Sequence, residues 1–467
     1  MQASEWVVLR STRNFNLGLE PGAPDEMLNP VTRGEKLLNP AVHSLDETTE
    51  LAPASVSRTL LFATFVAALG GLLFGFDTIV ISGCQTQLKE LFKLNGFQQG
   101  FMTASAIIGT VIGALVAARP GERYGRRDSL KMAGALYFVC ALGCAMAGAF
   151  WPFIIFRIVG GCAVGGSSVL GPLYLAEISP APWRGRLVAF FQLSVVAGVL
   201  LAFLSNFGIG SLGLGEMEWR WKLGVQALPA AAFFILLYFV PRSPRWLMMK
   251  GREAEASEVL RSFGTHDVPQ QIGIIRDSFH REVNGQRARL FTQAHTKPIL
   301  LVICVAMFNQ LDGINALMYC LNPIFSMAGF SKVSGDLQAV AVGTVNFLAT
   351  LIGISIIDRG GRKPLLLWGS VGTGVTLAGV AWVFNGSEHH SLLVWLLVGY
   401  IMCHCFGQGA VICVYISEVF PNIVRAKGQT LGSATHWIMA TIVSWTFPML
   451  ARNAGEPSAG LPFAFLL

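Results

Sequence analysis

Two residues of opposite charge stand where charge is costly. Asp77 lies in F-G-F-D-T-I-V-I-S-G, from Phe74 to Gly83, inside a run that is otherwise almost wholly apolar from Thr59 to Ile81. Arg157, in F-R-I-V-G-G, reads as the only basic residue inside an apolar span. A charged side chain at the centre of a membrane helix costs roughly 2.5–3.5 kcal/mol on insertion scales. An acid lowers that cost by binding a proton or by pairing with a cation. A guanidinium cannot give up its proton, so in an Asp77–Arg157 pair the aspartate is the partner that titrates. The same pair can be read as a static ion bridge that fixes helix packing, and these residues alone leave both readings open.

The elements that must hold them are long apolar helices. The chain has 467 residues, 53% of them hydrophobic and 13% charged, with a mean hydropathy of +0.55. A soluble domain carries about 25% charged residues. Apolar runs recur at 58–83, 96–118, 129–149, 152–176, 186–206, 222–240, 297–320, 338–357, 365–384, 392–416 and 427–450, with a further start at 461. Each of the eleven full runs is long enough to cross about 30 Å of hydrocarbon as a helix. This predicts an all-α, multi-pass membrane protein.

The net charge of +7 records topology. Alternate loops hold about 22 Lys and Arg and the other set about 6, the positive-inside asymmetry. The basic loops and the N-terminus are thus expected in the cytoplasm, and no nucleic-acid footprint remains. The nine cysteines lie in or at the ends of apolar spans without metal-like spacing, so packed thiols are expected, with no metal and no cofactor. No nucleophile, metal cluster or phosphate loop suggests an enzyme. Residues 1–57 are polar and rich in Pro, Asn and Glu, and read as a disordered tail rather than a cleavable signal.

Two patterns occur twice. Acidic-Arg-x-Gly-Arg-basic appears at Glu122 to Arg127 and at Asp358 to Lys363, 236 residues apart (358 − 122). Glu-x-x-Pro-x-x-x-Arg appears at Glu177, Pro180, Arg184 and at Glu418, Pro421, Arg425, 241 apart (418 − 177). Both pairs, in order and at nearly equal offset, imply an internal duplication. Parallel six-helix repeats imply two bundles with a pathway between them. We therefore expect bundles at 58–240 and 297–467, joined by a linker of short amphipathic helices at 241–296. By the repeat, the twelfth helix is expected to hold only its first turns, L-P-F-A-F-L-L, too short to span.

These stretches carry a resemblance. G-F-D-T-I-V-I-S-G (75–83), G-E-R-Y-G-R-R (121–127), A-E-I-S-P-A-P-W-R-G-R (176–186), P-R-S-P-R-W-L (241–247), N-Q-L-D-G-I-N-A (309–316), D-R-G-G-R-K (358–363) and S-E-V-F-P (417–421) resemble the sugar porter family of the major facilitator superfamily, its bacterial proton:sugar symporters in particular. The resemblance covers nearly everything from residue 58 onward. It implies the major facilitator fold, with two six-helix bundles, and a plasma-membrane location, the inner membrane in a bacterium. Its proton-coupled members carry Asp in helix one and Arg in helix four, which Asp77 and Arg157 match, whereas passive members tend to carry Asn in helix one.

Sugar hydroxyls both donate and accept, and so do amides. The amides noted within apolar spans are Gln192, Asn309, Gln310, Asn315, Asn346 and Gln408. A lone amide is more often an interhelical packing bond. The cluster in N-Q-L-D-G-I-N is harder to read that way, and Gly313 would loosen the helix beside it. The resemblance assigns the sugar site to Gln192, Asn309, Gln310, Asn315, Asn346 and His436. Here Asn309 stands where a Gln is usual and His436 where an amide is usual. Ala410 and Cys413 replace the family's Pro and Trp, so Trp437 or Phe406 is left to offer the sugar an apolar face. Asp312 is an extra carboxylate, read either as a second titrating group, as a hydroxyl acceptor, or as a solvated or capped acid.

At helix ends, Arg126, Arg127, Glu177, Arg184, Asp358, Arg362, Glu418 and Arg425 form the expected cytoplasmic gating network. The family uses these positions as inner latches. Arg242 stands where the family usually has Glu, so that network is expected to be rewired. The expected activity is uptake of a monosaccharide, hexose or pentose, with a proton, by a monomer that alternates access across the bilayer. An uncoupled sugar or polyol facilitator is the alternative. A sugar sensor without transport is a third reading.

Overall fold

The computed structural model describes residues 57–265, 267–287, 290–385, 390–409, 419–421, 424–451 and 460–466. The tail before residue 57, Ala410, Cys413 and Glu418 lie outside these, as do the side chains of Asp358 and Arg362. Among the described residues there is no strand, and nine helices are long and apolar enough to cross a membrane. Helices suit a bilayer because every backbone donor finds its acceptor within the segment.

The first bundle begins with α1 (Arg58–Val80), a single turn at Ile81–Cys84, and α2 (Gln85–Leu91). The Ser57 hydroxyl caps α1 by accepting from the Leu60 amide. A capping box starts α3 (Gly96–Val116): the Asn95 side chain accepts from the Gln98 amide, and Gln98 accepts from the Asn95 amide. Then follow α4 (Ala118–Arg123), α5 (Arg126–Met146), α6 (Phe150–Ile178) and α7 (Arg184–Gly210). The expected span 222–240 is not one helix. It takes in the last three residues of α8 (Glu218–Gly224) and all of α9 (Ala227–Leu236), with Gln226 at the joint.

Two short helices follow, α10 (Pro244–Met249) and α11 (Glu253–Ser262), and then α12 (Val268–Arg287), which at 20 residues is longer than the short linker helices expected. They bury Trp246, Leu247, Ala256, Leu260, Val268 and Ile272 in a small core of their own. Each such large apolar side chain contributes about 1.5–3 kcal/mol when fully buried.

The second bundle opens with α13 (Thr296–Leu311), α14 (Ile314–Tyr319) and α15 (Leu321–Met327). The break between α13 and α14 falls at Gly313, whose φ of 82° is left-handed, so the chain turns where a Cβ would be strained. Next come α16 (Lys332–Gly360), α17 (Arg362–Asn385) and α18 (His390–His404), which runs into a wide π turn at Cys405–Gly409. The last described helices are α19 (Arg425–Leu450) and α20 (Leu461–Phe465).

Small residues set the spacing inside the first bundle. A Cβ on Gly161 of α6 would lie 2.0 Å from the Ala106 carbonyl of α3, and one on Gly109 would lie 2.2 Å from the Ile158 carbonyl. These backbones touch, as lipid-embedded helices do when packing rather than water drives association. The bundles meet along α3 with α19 and α7 with α16.

Candidate functional site

Asp77 and Arg157 come together as expected. Both are essentially inaccessible, at 0% and 1% exposure. A single guanidinium nitrogen, Nη1 of Arg157, donates to both Asp77 Oδ1 and the Asp77 carbonyl, each at 3.3 Å. That is long and one-pronged beside the 2.7–2.9 Å of a strong charge-assisted bond. The Gln226 amide donates to the same oxygen at 3.1 Å, and the Cys140 thiol lies 3.8 Å from it. Oδ2 is buried without any donor from the protein, and so are Nε and Nη2 of Arg157 without an acceptor. An oxygen with no donor beside it is a place for a proton. Gln226 was missed in the sequence. The signal was available, since it is an amide inside the expected sixth span.

The amide cluster also forms. Asn315 Nδ2 donates to Gln310 Oε1 at 2.5 Å, Gln310 Nε2 to Asn309 Oδ1 at 2.9 Å, and Asn309 Nδ2 to Gln408 Oε1 at 3.1 Å. The His436 ring lies 3.3 Å from Gln310 Nε2. The Gly313 break puts Asn315 back against the helix that carries Gln310, and the π turn delivers Gln408. Asn346 is not in this chain of bonds. Its side-chain oxygen accepts from the Cys405 thiol at 3.1 Å. Gln192 is exposed on α7 and joins neither group. Trp437 faces Phe74 of the first bundle, ring centroids 6.0 Å apart, so an aromatic pair bridges the bundles beside the cluster.

Asp312 is buried and paired rather than solvated. Its Oδ2 lies 2.7 Å from His404 Nδ1, its Oδ1 accepts from the Ile314 amide across the break, and its carbonyl accepts from the Tyr400 hydroxyl at 2.9 Å. His404 was not singled out from the sequence, although a histidine in an apolar span is as conspicuous as an aspartate.

The basic face holds part of the expected network with changed partners. Glu177 pairs with Arg126 at 2.9 Å and accepts from Ser243 Oγ at 2.5 Å, whereas Arg184 is exposed. Arg127 pairs with Asp128 at 3.0 Å. Arg242, the departure noted above, also pairs with Asp128, at 3.1 Å, so an acid next to the motif takes up the reversed charge. Arg425 is exposed.

The opposite face shows what the sequence reading got wrong. Arg157 is not the only buried base: Lys222, at the edge of an expected span, is fully buried. Its ammonium pairs with Glu218 at 2.7 Å and with Asp336 of α16 at 3.5 Å. Lys332 reaches back to Glu218 at 2.5 Å. Asn322 bonds Asp336 and accepts from Ser82 Oγ at 2.8 Å, and the Gln85 amide donates to the Tyr319 carbonyl at 3.0 Å. The bonds of Lys222 to Asp336, Lys332 to Glu218, Ser82 to Asn322 and Gln85 to Tyr319 cross from one bundle to the other and hold this face shut.

Buried charge, a polar cluster and two bundles closed at one face define a membrane transporter of the major facilitator fold. The family model described as "Sugar (and other) transporter" matches residues 63–467, and the chain belongs to that family. It is 34% identical over 430 residues to the D-xylose-proton symporter of Escherichia coli (strain K12), covering 85% of this chain and 87% of that protein. It is 32% identical over 413 residues to the arabinose-proton symporter of Bacillus subtilis (strain 168), covering 86% and 89%. The fold matches the inward-open xylose transporter XylE from E. coli with a TM-score of 0.77 at 32% identity, over 87% of this chain and 94% of that one.

Proposed function

We propose that this chain carries a monosaccharide and a proton together into the cell, one chain acting alone. The carrying observation is the buried Asp77 carboxylate, held by one long bond to Arg157 while its second oxygen has no donor. Protonation there removes the aspartate's charge and frees Arg157, whose unsatisfied nitrogens then need a new acceptor. That exchange of partners is the differential interaction that biases one arrangement of the bundles over the other. The basic face, with its inner latches, faces the cytoplasm. The sugar sits on Asn309, Gln310, Asn315, Gln408 and His436, whose amides already donate and accept in series. Gln192 and Asn346 join it from α7 and α16 as the bundles close.

Pentoses lead the candidate substrates, because relatives at 34% and 32% identity are named for D-xylose and arabinose. Labelled D-xylose, arabinose, glucose and myo-inositol are offered to proteoliposomes with and without an inward proton gradient. The expected result is gradient-driven accumulation that Asp77→Asn abolishes while sugar exchange survives. Accumulation by Asp77→Asn, or none by the unsubstituted protein under any gradient, would sink the proposal.

A further inference from the structure

The two bundles carry the same device in different chemistry. Asp312 lies 235 positions after Asp77 (312 − 77), and His404 lies 247 after Arg157 (404 − 157). Both offsets bracket the 236 and 241 of the two repeated motifs. The local sequences agree, F-D-T-I at Phe76 to Ile79 and L-D-G-I at Leu311 to Ile314. In each bundle an aspartate on the first helix meets a base on the fourth. In the first the base is a guanidinium, which keeps its proton. In the second it is an imidazole, which does not.

We infer that Asp312 and His404 form a second proton-binding site, the repeat counterpart of Asp77 and Arg157. Each side chain is only 8% exposed, and they meet at 2.7 Å. No lysine or arginine among the described residues pairs with Asp312, so its charge has one cation available, the imidazolium. A buried carboxylate without a counter-charge is expensive. With one proton the pair is neutral overall, whichever partner holds it. With none, Asp312 is an unpaired buried anion. The other titratable groups facing the pair are Tyr400, whose ring stacks near the imidazole, Cys405 next along the chain, and His436 from α19.

The site is placed to act on substrate. Asp312 Oδ1 caps the Ile314 amide at the helix break, one residue before Asn315. His404 ends α18 at the π turn that carries Gln408. A proton lost from the pair leaves the carboxylate to seek water, which loosens the break and with it the bond from Asn315 to Gln310. The inference rests on the transport reading only for its consequence; the proton site stands apart from it.

The test needs no sugar. Full-length Asp77→Asn protein in lipid nanodiscs is labelled with ring nitrogen-15 histidine, and the His404 signal is assigned by its loss in His404→Gln. The His404 ring is expected to change protonation state within the pH range over which the protein stays folded. Adding Asp312→Asn is expected to move the midpoint by about one pH unit or more. A ring that keeps one state throughout, or a midpoint indifferent to Asp312, overturns the inference. Should Asp312→Asn fail to fold, the same titration in the unsubstituted protein decides, since absence of any transition is equally fatal. Sugar uptake indifferent to a proton gradient would overturn the coupled-transport reading and leave this titration standing.

Discussion

The two faces of the molecule hold charge in opposite ways. At the face bearing Lys222, three buried charges, Lys222, Glu218 and Asp336, and the exposed Lys332 interlock across the bundles. At the basic face the described pairs, Arg126 with Glu177 and Arg242 with Asp128, tie helices of the first bundle to one another and to the start of the linker. The first arrangement must break for the bundles to part there. The second can ride along intact. In this conformation one face is locked by bonds between bundles and the other is braced within one of them.

The largest effect is expected where charge is most buried. Glu218→Gln removes the nearest partner of Lys222 and is expected to destabilise the protein by about 3–5 kcal/mol, read as a fall in thermal midpoint in detergent. The double variant Lys222→Met with Asp336→Leu replaces charge by apolar volume and is expected to recover most of that loss. A double variant as unstable as the single one would mean that the lock is not electrostatic.

Acid should weaken the same lock. Burial pushes the Glu218 carboxyl up, but the Lys222 and Lys332 ammoniums outweigh it and hold it below its ordinary value of 4.5. A carboxylate lowered on folding contributes stability at neutral pH and loses it as pH falls through its folded value. The thermal midpoint is therefore expected to hold from neutrality down to about pH 5 and to drop below it, less so in Glu218→Gln.

At the basic face the expected effect is smaller. Glu177→Gln keeps the side chain's shape and removes one charge-assisted partner of Arg126, a cost of about 1.5–3 kcal/mol. If that loss matches or exceeds the loss in Glu218→Gln, the contrast between the faces is wrong.

Hydropathy made the membrane class legible, because about 20 consecutive apolar residues have few other uses. The duplication made the two bundles legible. The Asp77–Arg157 pair was readable because charge inside an apolar run is rare. What escaped detection were the polar residues at the margins of spans. Lys222 and Glu218 sit where hydropathy reads an interface, and their partners Asp336 and Lys332 come from the other half of the chain. His404 and Asp312 lie 92 residues apart and meet because α18 packs near the Gly313 break. Partner choice at the basic face was equally hidden, since Glu177 has several arginines within reach and geometry alone selects Arg126.

The contact between α3 and α6, backbone against backbone at Gly109 and Gly161, leaves those two helices no side-chain layer to shear through. They must travel as a single plank. Any displacement of one bundle against the other therefore has to be taken up elsewhere, at the seams where α3 meets α19 and α7 meets α16. Bulkier residues at Gly109 or Gly161 would jam assembly of the plank itself, while bulk added along those seams would arrest the machine in a single posture without unfolding it.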